Sequence, residues 1–334
     1  MSHRLESNRR EFLKACVAGA VLLGSAEKTS GVPLSISTNE KSKVAIARDS
    51  LLRGKGTSVD SARLLKVLDR CIQTIYDSDS PQQAWKRAVR PGEVVGLKVN
   101  GLAGRGISTN VVLVEVICDR LREAGIPAKN IIVWDRLDSD LESAGFRVTS
   151  KADQVRFIGN DTVGYEDDLS IYGSVGSLLA KTLTQVCDAV INLPVLKDHS
   201  IAGVSMALKN FLGAIHNPNK YHINVGDPYI ADVNMLPPIR QKVRLHICDA
   251  TTAQYEGGPS YMPQWTWQEN GLLMSRDPVA LDYVGWKIIE RKRAEKGMKS
   301  LKEMKREPNY IATAADSQHR IGTNDPARID QVEV

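Results

Sequence analysis

Aromatic side chains are scarce in this sequence, at 5% of 334 residues. Excess charge is also small: 44 Lys and Arg stand against 39 Asp and Glu, a formal +5. No dense basic tract with interleaved aromatics occurs, so a nucleic-acid partner is not expected. Cysteine is sparse and scattered. Cys16, Cys71, Cys118, Cys187 and Cys248 form no C-x-x-C and no Cys/His pair at zinc spacing. They read as small buried hydrophobes, and no iron–sulfur cluster is expected from this chain alone. Beyond the N-terminus no stretch is long and apolar enough to span a bilayer.

The N-terminus sets the compartment. Arg9-Arg10-Glu11-Phe12-Leu13-Lys14 precedes an uncharged run from Ala15 to Ala26. The run is too short for an ordinary transmembrane helix and has a basic front, as a signal peptide should. The block resembles a twin-arginine export signal, so the protein is expected to fold before export to the periplasm by that machinery. Residues 1–26 are read as the signal and 27–42, rich in Ser, Thr, Lys and Gly, as a linker. An α/β domain over 43–297 and a charged C-terminal extension over 298–334 follow.

What is present is an alternation of strand and helix patterns. Strands are predicted at 43–48, 93–99, 131–134, 154–158, 189–193, 243–248 and 272–274. Helices are predicted at 60–77, 81–89, 111–124, 139–144, 178–186, 204–212 and 277–296. Ser108 or Thr109 is the expected cap of the helix over 111–124. Residues 298–334 read as a surface tail with one strand near its end. The alternation argues an α/β fold: a mostly parallel sheet with helices on both faces, the site at the carboxyl ends of the strands.

Four strand ends carry polar groups: Lys98 with Asn100, Asp135 with Arg136, Lys197 with His199, and Asp249. In an open parallel sheet these ends share one edge, where ligands bind. Lys197 and His199 straddle Asp198 and, on extended backbone, point the same way. A cation beside an imidazole keeps it neutral, suited to a general base or a metal ligand. Gly101, Gly104 and Gly106, with Arg105 among them, precede a helix, and are read as an anion cradle or as a plain flexible turn. Lys209 and Asn210 lie in an apolar helical pattern, where a lysine must snorkel or meet a partner. Asp249, Glu256, Asp277 and Asp282 either bind a hard divalent cation or salt-bridge the lysines; Asp277 before Pro278 reads as a helix cap. His216 and His222 flank a polar loop where solvated histidines are common, and His246 lies inside a strand.

Leu97-Lys98-Val99-Asn100, Asn192-Leu193-Pro194-Val195-Leu196-Lys197-Asp198-His199, Ala207-Leu208-Lys209-Asn210-Phe211-Leu212-Gly213, Glu256-Gly257-Gly258-Pro259 and Asp277 to Asp282 together resemble the DUF362 family, from about Lys43 to about Glu290. The resemblance implies no settled activity. Some members append a ferredoxin-like domain with C-x-x-C repeats, which this chain lacks. The two-part α/β layout also resembles the lactate racemase family, though no motif supports that family's nickel cofactor.

The leading expectation is an exported enzyme acting on a small anionic substrate. Lys98, Lys197 and Lys209 hold its charge, with Asn100, Arg105, Asn192 and Asn210 as further binding groups. His199 is general base or metal ligand, and Asp249 and Glu256 position a divalent metal or share proton transfer. The rivals are a non-catalytic anion-binding or assembly protein, which needs only the cations, and a redox partner without its own cluster.

Overall fold

The computed structural model describes residues 41–334, apart from 55 and 57. The expected signal and all but the end of the expected linker lie outside the described residues. The first strand, β1, runs Ser42–Arg48, so Ser42 belongs to the sheet rather than to a linker. Helices α1 (Ser61–Tyr76) and α2 (Pro81–Ala88) follow. Asp60 caps α1 by accepting the Arg63 amide, and Ser80 does the same for α2 through Gln83. The α1 side chains at helical spacing, Leu64, Val67, Leu68, Cys71, Ile72 and Ile75, are all buried.

The parallel core is β2 (Val95–Lys98), β3 (Ile131–Asp135), β4 (Arg156–Gly159), β7 (Ala189–Asn192) and β10 (Val243–Gln254). Helix α3 (Val111–Glu123) links β2 to β3, and α4 (Asp138–Ala144) links β3 to β4. A small antiparallel pair, β5 (Ser170–Tyr172) and β6 (Val175–Ser177), stands apart from the main sheet. Across the main sheet the order is β13-β1-β12-β10-β7-β2-β3-β4, with β12 (Gly271–Ser275) antiparallel to both neighbours and β13 (Ile329–Glu333) parallel to β1. The fold is α/β, with a mostly parallel mixed sheet. Alternate strand residues feed two separate cores: Ala45, Leu97, Val133 and Ile191 pack with α1 to α3, whereas Val44, Ile132, Trp134 and Val190 pack on the other face with the helix Pro278–Glu295.

Four sequence expectations are corrected. The cap of α3 is Asn110, whose side chain accepts the Val112 amide, rather than Ser108 or Thr109. Only Thr182–Val186 of the helix expected over 178–186 coils, as one wide π-helical turn; Lys242 Nζ donates to the freed carbonyls of Leu183, Thr184 and Cys187. The pattern over 204–212 splits. After Pro194, β8 (Val195–His199) turns back antiparallel as β9 (Gly203–Ser205), and only Ala207–Asn210 is α-helical. Finally, residues 298–334 are not a surface tail. Leu301, Tyr310, Ile311 and Ala314 are buried, and the Tyr310 hydroxyl donates to the Val204 carbonyl. No helix among the described residues is long and apolar enough to cross a membrane.

Candidate functional site

A cavity of about 340 Å³ opens over the carboxyl ends of β2, β3 and β8. Its polar lining includes Lys98, Asn100, Asp135, Arg136, Asp140, Lys197, His199, Lys209, Asn210 and His222. The parallel register puts Lys98 beside Trp134 on β3 and Asn192 on β7, so the charged residues that end β2 and β3 meet at one edge. The side chains of Lys197 and His199 reach the cavity from β8. Between them Asp198 faces the other way, accepting the Gly258 amide at 2.8 Å and facing Arg306.

Three of the four cations are paired. Lys98 Nζ donates to Asp135 Oδ1 and to the Val99 carbonyl, each at 2.7 Å. Asp135 is itself fixed by the amides of Gly101 and Arg136. Gly213 lies over this ion pair, and a Cβ there would stand 3.1 Å from both Lys98 Nζ and Asp135 Oδ1, a tight contact that glycine avoids. Arg136 faces Asp140 at 3.7 Å; burial, and then the Asp135 charge, push the Asp140 carboxyl upward. Lys197 Nζ donates to Asn100 Oδ1 at 2.8 Å and to the Ile107 carbonyl at 3.1 Å. Its burial lowers the ammonium to about 8.

Lys209 differs. The residue is buried, with 8% exposure, and its ammonium meets no hydrogen-bond or ion-pair partner among the described residues. Burial first, and the Lys197 charge second, bring it down to about 7. Its backbone is held firmly. Asp282 accepts the Ala207 and Leu208 amides at the start of the short helix. Next along, Asn210 bonds Asn192, Asn100 and the Lys98 carbonyl.

The two imidazoles are poised oppositely. His199 Nδ1 accepts the amides of Ile201 and Ala202 at 3.2 and 3.1 Å. Its proton therefore sits on Nε2, which makes the ring a donor toward the cavity. This changes the role expected for His199: with Nδ1 taken and Nε2 protonated, neither nitrogen offers a lone pair to a substrate proton or to a metal. His222 has the other tautomer. Its Nδ1–H donates to the Pro218 carbonyl at 3.1 Å, which leaves Nε2 with a free lone pair. The rings stack with centroids 5.3 Å apart. Burial and the nearby Lys209 charge hold both below the usual imidazole range, hence neutral. The sequence reads His222 as a solvated loop histidine, because Pro218–Gly226 has no periodic pattern.

Several expected site residues are placed elsewhere. Asp249 lies inside β10, opposite Val195, four residues before His199 on β8, or about 13 Å along a strand. Its carboxylate accepts the Asn110 amide at 2.7 Å and the Thr251 amide at 2.9 Å. The helix start expected to bind an external anion is thus occupied by the protein's own carboxylate. Glu256 is held by Arg293 and Arg306. Burial alone would raise its carboxyl, but the two guanidiniums outweigh that and hold it low. Arg105 is exposed and lies against Gly145. Asn192 sits beneath the cavity, donating to the Ala207 carbonyl and to His246 Nδ1. Among the described residues no three His, Cys, Asp or Glu side chains gather to hold a metal ion. The carboxylates that line the cavity, Asp135 and Asp140, already face Lys98 and Arg136.

A family model described as "Domain of unknown function (DUF362)" matches residues 95–287. No curated protein matches the chain. Among solved structures, the lactate racemase apoprotein from Thermoanaerobacterium thermosaccharolyticum is 8% identical, with a TM-score of 0.43 over 74% of this chain and 57% of that one. A protein from Thermotoga maritima is 9% identical, with a TM-score of 0.41 over 73% of this chain and 60% of that one. The chain thus spans less than two thirds of either protein.

Proposed function

The chain belongs to the DUF362 family, and we propose that it is an enzyme acting on a small anionic substrate in the cavity over β2, β3 and β8. The observation that carries this reading is the unpartnered ammonium of Lys209 facing that cavity. A buried charge with no partner is costly, and purely structural lysines are paired as Lys98 is. An arriving anion supplies the missing counter-charge. With its lysines protonated the cavity carries Lys98, Arg136, Lys197 and Lys209 against Asp135 and Asp140, or 4 − 2 = +2.

The imidazoles favour an enzyme over a passive binder. Lysines alone would hold an anion, but a proton acceptor at His222 Nε2 and a donor at His199 Nε2 face the same space. That arrangement lets one ring take a proton while the other stabilises charge developing on oxygen.

The test is a calorimetric titration of small carboxylates and inorganic phosphate into wild type, Lys209→Met and His222→Gln. The reading expects at least one anion to bind. Lys209→Met should weaken it tenfold or more, while His222→Gln retains binding and loses conversion of the ligand followed by NMR. Equal affinity in wild type and Lys209→Met refutes the site. Tight binding with no conversion by wild type favours the binding-protein reading.

Export to the periplasm through residues 1–26 is proposed on the Arg9-Arg10-Glu11-Phe12-Leu13-Lys14 block alone. Arg9→Lys with Arg10→Lys should leave the protein in the cytoplasm on fractionation; unchanged export would refute the signal.

A further inference from the structure

We infer that Lys209 is a covalent nucleophile that forms an imine with a small 2-oxo acid. The inference rests on the anion-site reading and narrows its substrate class.

The four cations of the cavity are not equivalent. Lys98 has acceptors in Asp135, Val99 and Asn210, Lys197 in Asn100 and Ile107, and Arg136 in Asp140. Each of those groups is thereby engaged with an acceptor. Lys209 has none, so nothing holds its proton, and its nitrogen lone pair is the one available for bond formation. The groups facing the cavity do not restore the charge. Asp135 is taken by Lys98 and two amides, Asp140 faces Arg136, and His199 and His222 are neutral. Lys197 is a like charge. With the amine brought to about 7, roughly half the molecules carry it free at neutral pH. The root of the side chain is immobile, pinned through Asp282 and Asn210, so the nucleophile is presented in one place.

A 2-oxo acid matches these groups. Its carboxylate meets the Lys197 ammonium and its carbonyl carbon meets Lys209 Nζ. The lone pair attacks that carbon and the C=O π pair moves to oxygen. His222 Nε2 takes the two nitrogen protons in turn and delivers each to the oxygen, the first to the alkoxide and the second to the resulting carbinol hydroxyl. The C–O bond then breaks, water leaves and C=N forms. Amine plus carbonyl gives imine plus water, with no oxidant or reductant consumed.

The experiment is borohydride reduction of the full chain with pyruvate or glyoxylate, followed by intact mass and peptide mapping, with calorimetry of the same acids alongside. The expected result is one reduced adduct on the Lys209 peptide, absent in Lys209→Arg. Labelling should rise with a pH midpoint near 7, well below that of surface lysines. Calorimetric binding of the acid without an adduct overturns the imine and leaves the anion site standing. An adduct on Lys197 or on surface lysines overturns it too. Neither binding nor labelling by these acids overturns the 2-oxo acid assignment, and the anion site then depends on the other carboxylates and phosphate. If Lys209→Arg fails to fold, the wild-type peptide map and its pH midpoint decide.

Discussion

Replacing Lys209 by methionine should stabilise the protein, and by an amount that depends on pH. In the unfolded chain the ammonium titrates at the ordinary lysine value of 10.5, whereas in the fold it titrates at about 7. Between those values the unfolded chain binds more protons, so stability rises with pH there; below 7 the penalty on the folded state is complete. The full displacement corresponds to a ceiling of about 5 kcal/mol at pH 6, shrinking to about 2 kcal/mol at pH 9. Water reaching the ammonium from the cavity reduces these, and a gain of about 2–3 kcal/mol at pH 6 is expected for Lys209→Met. The assay is urea unfolding of both proteins at pH 6, 7.5 and 9, compared at equal m-value. A variant less stable than wild type at pH 6, or a gain that does not shrink with pH, would refute the argument that the ammonium is buried unpaired. Stability gained where function is lost is the signature of a working site.

Three other variants separate framework from chemistry. Asp135→Ala strands the Lys98 ammonium, which is 1% exposed, and should cost about 3–5 kcal/mol in urea unfolding; adding Lys98→Met should recover most of that. Glu256→Gln removes the charge facing Arg293 and Arg306 and should lower stability by about 2–4 kcal/mol, with anion affinity in calorimetry changed less than threefold. Asp249→Asn weakens the contact with the Asn110 amide and should cost about 1–2 kcal/mol, with elemental analysis giving the same metal content as wild type.

The strand ends were the legible part of the site. Apolar runs ending in Lys98, Asp135 and Lys197 mark parallel strands whose carboxyl ends share an edge, and a period of two puts Lys197 and His199 on one side. The stretch from Val204 to Leu212 reads as a single helix because a fully buried strand and a buried helix show the same run of apolar residues. Asp249 looked like a strand end because β10 becomes polar there, yet the strand continues to Gln254, its later part flanked by β8, β11 (Thr266–Trp267) and β12. That pairing is long-range and leaves no local mark. The same holds for Arg306, 50 residues from its partner Glu256, and for His222, whose tautomer is set by a carbonyl in an irregular segment. Sequence spacing reports which residues share a face. It does not report which of their polar atoms are already satisfied, and in this cavity that distinction separates Lys209 from its neighbours.

The most direct test is the affinity of wild type for its best small carboxylate, measured by calorimetry from pH 6 to pH 9.5 beside Lys209→Met. Lys209 and Lys197 lose their protons near 7 and 8, so wild-type affinity should fall at least tenfold across that range. Lys209→Met should bind weakly throughout and lose the component near pH 7. A wild-type affinity that is flat with pH, or a variant whose profile matches wild type, would contradict the claim that Lys209 is the anion-facing charge of this cavity.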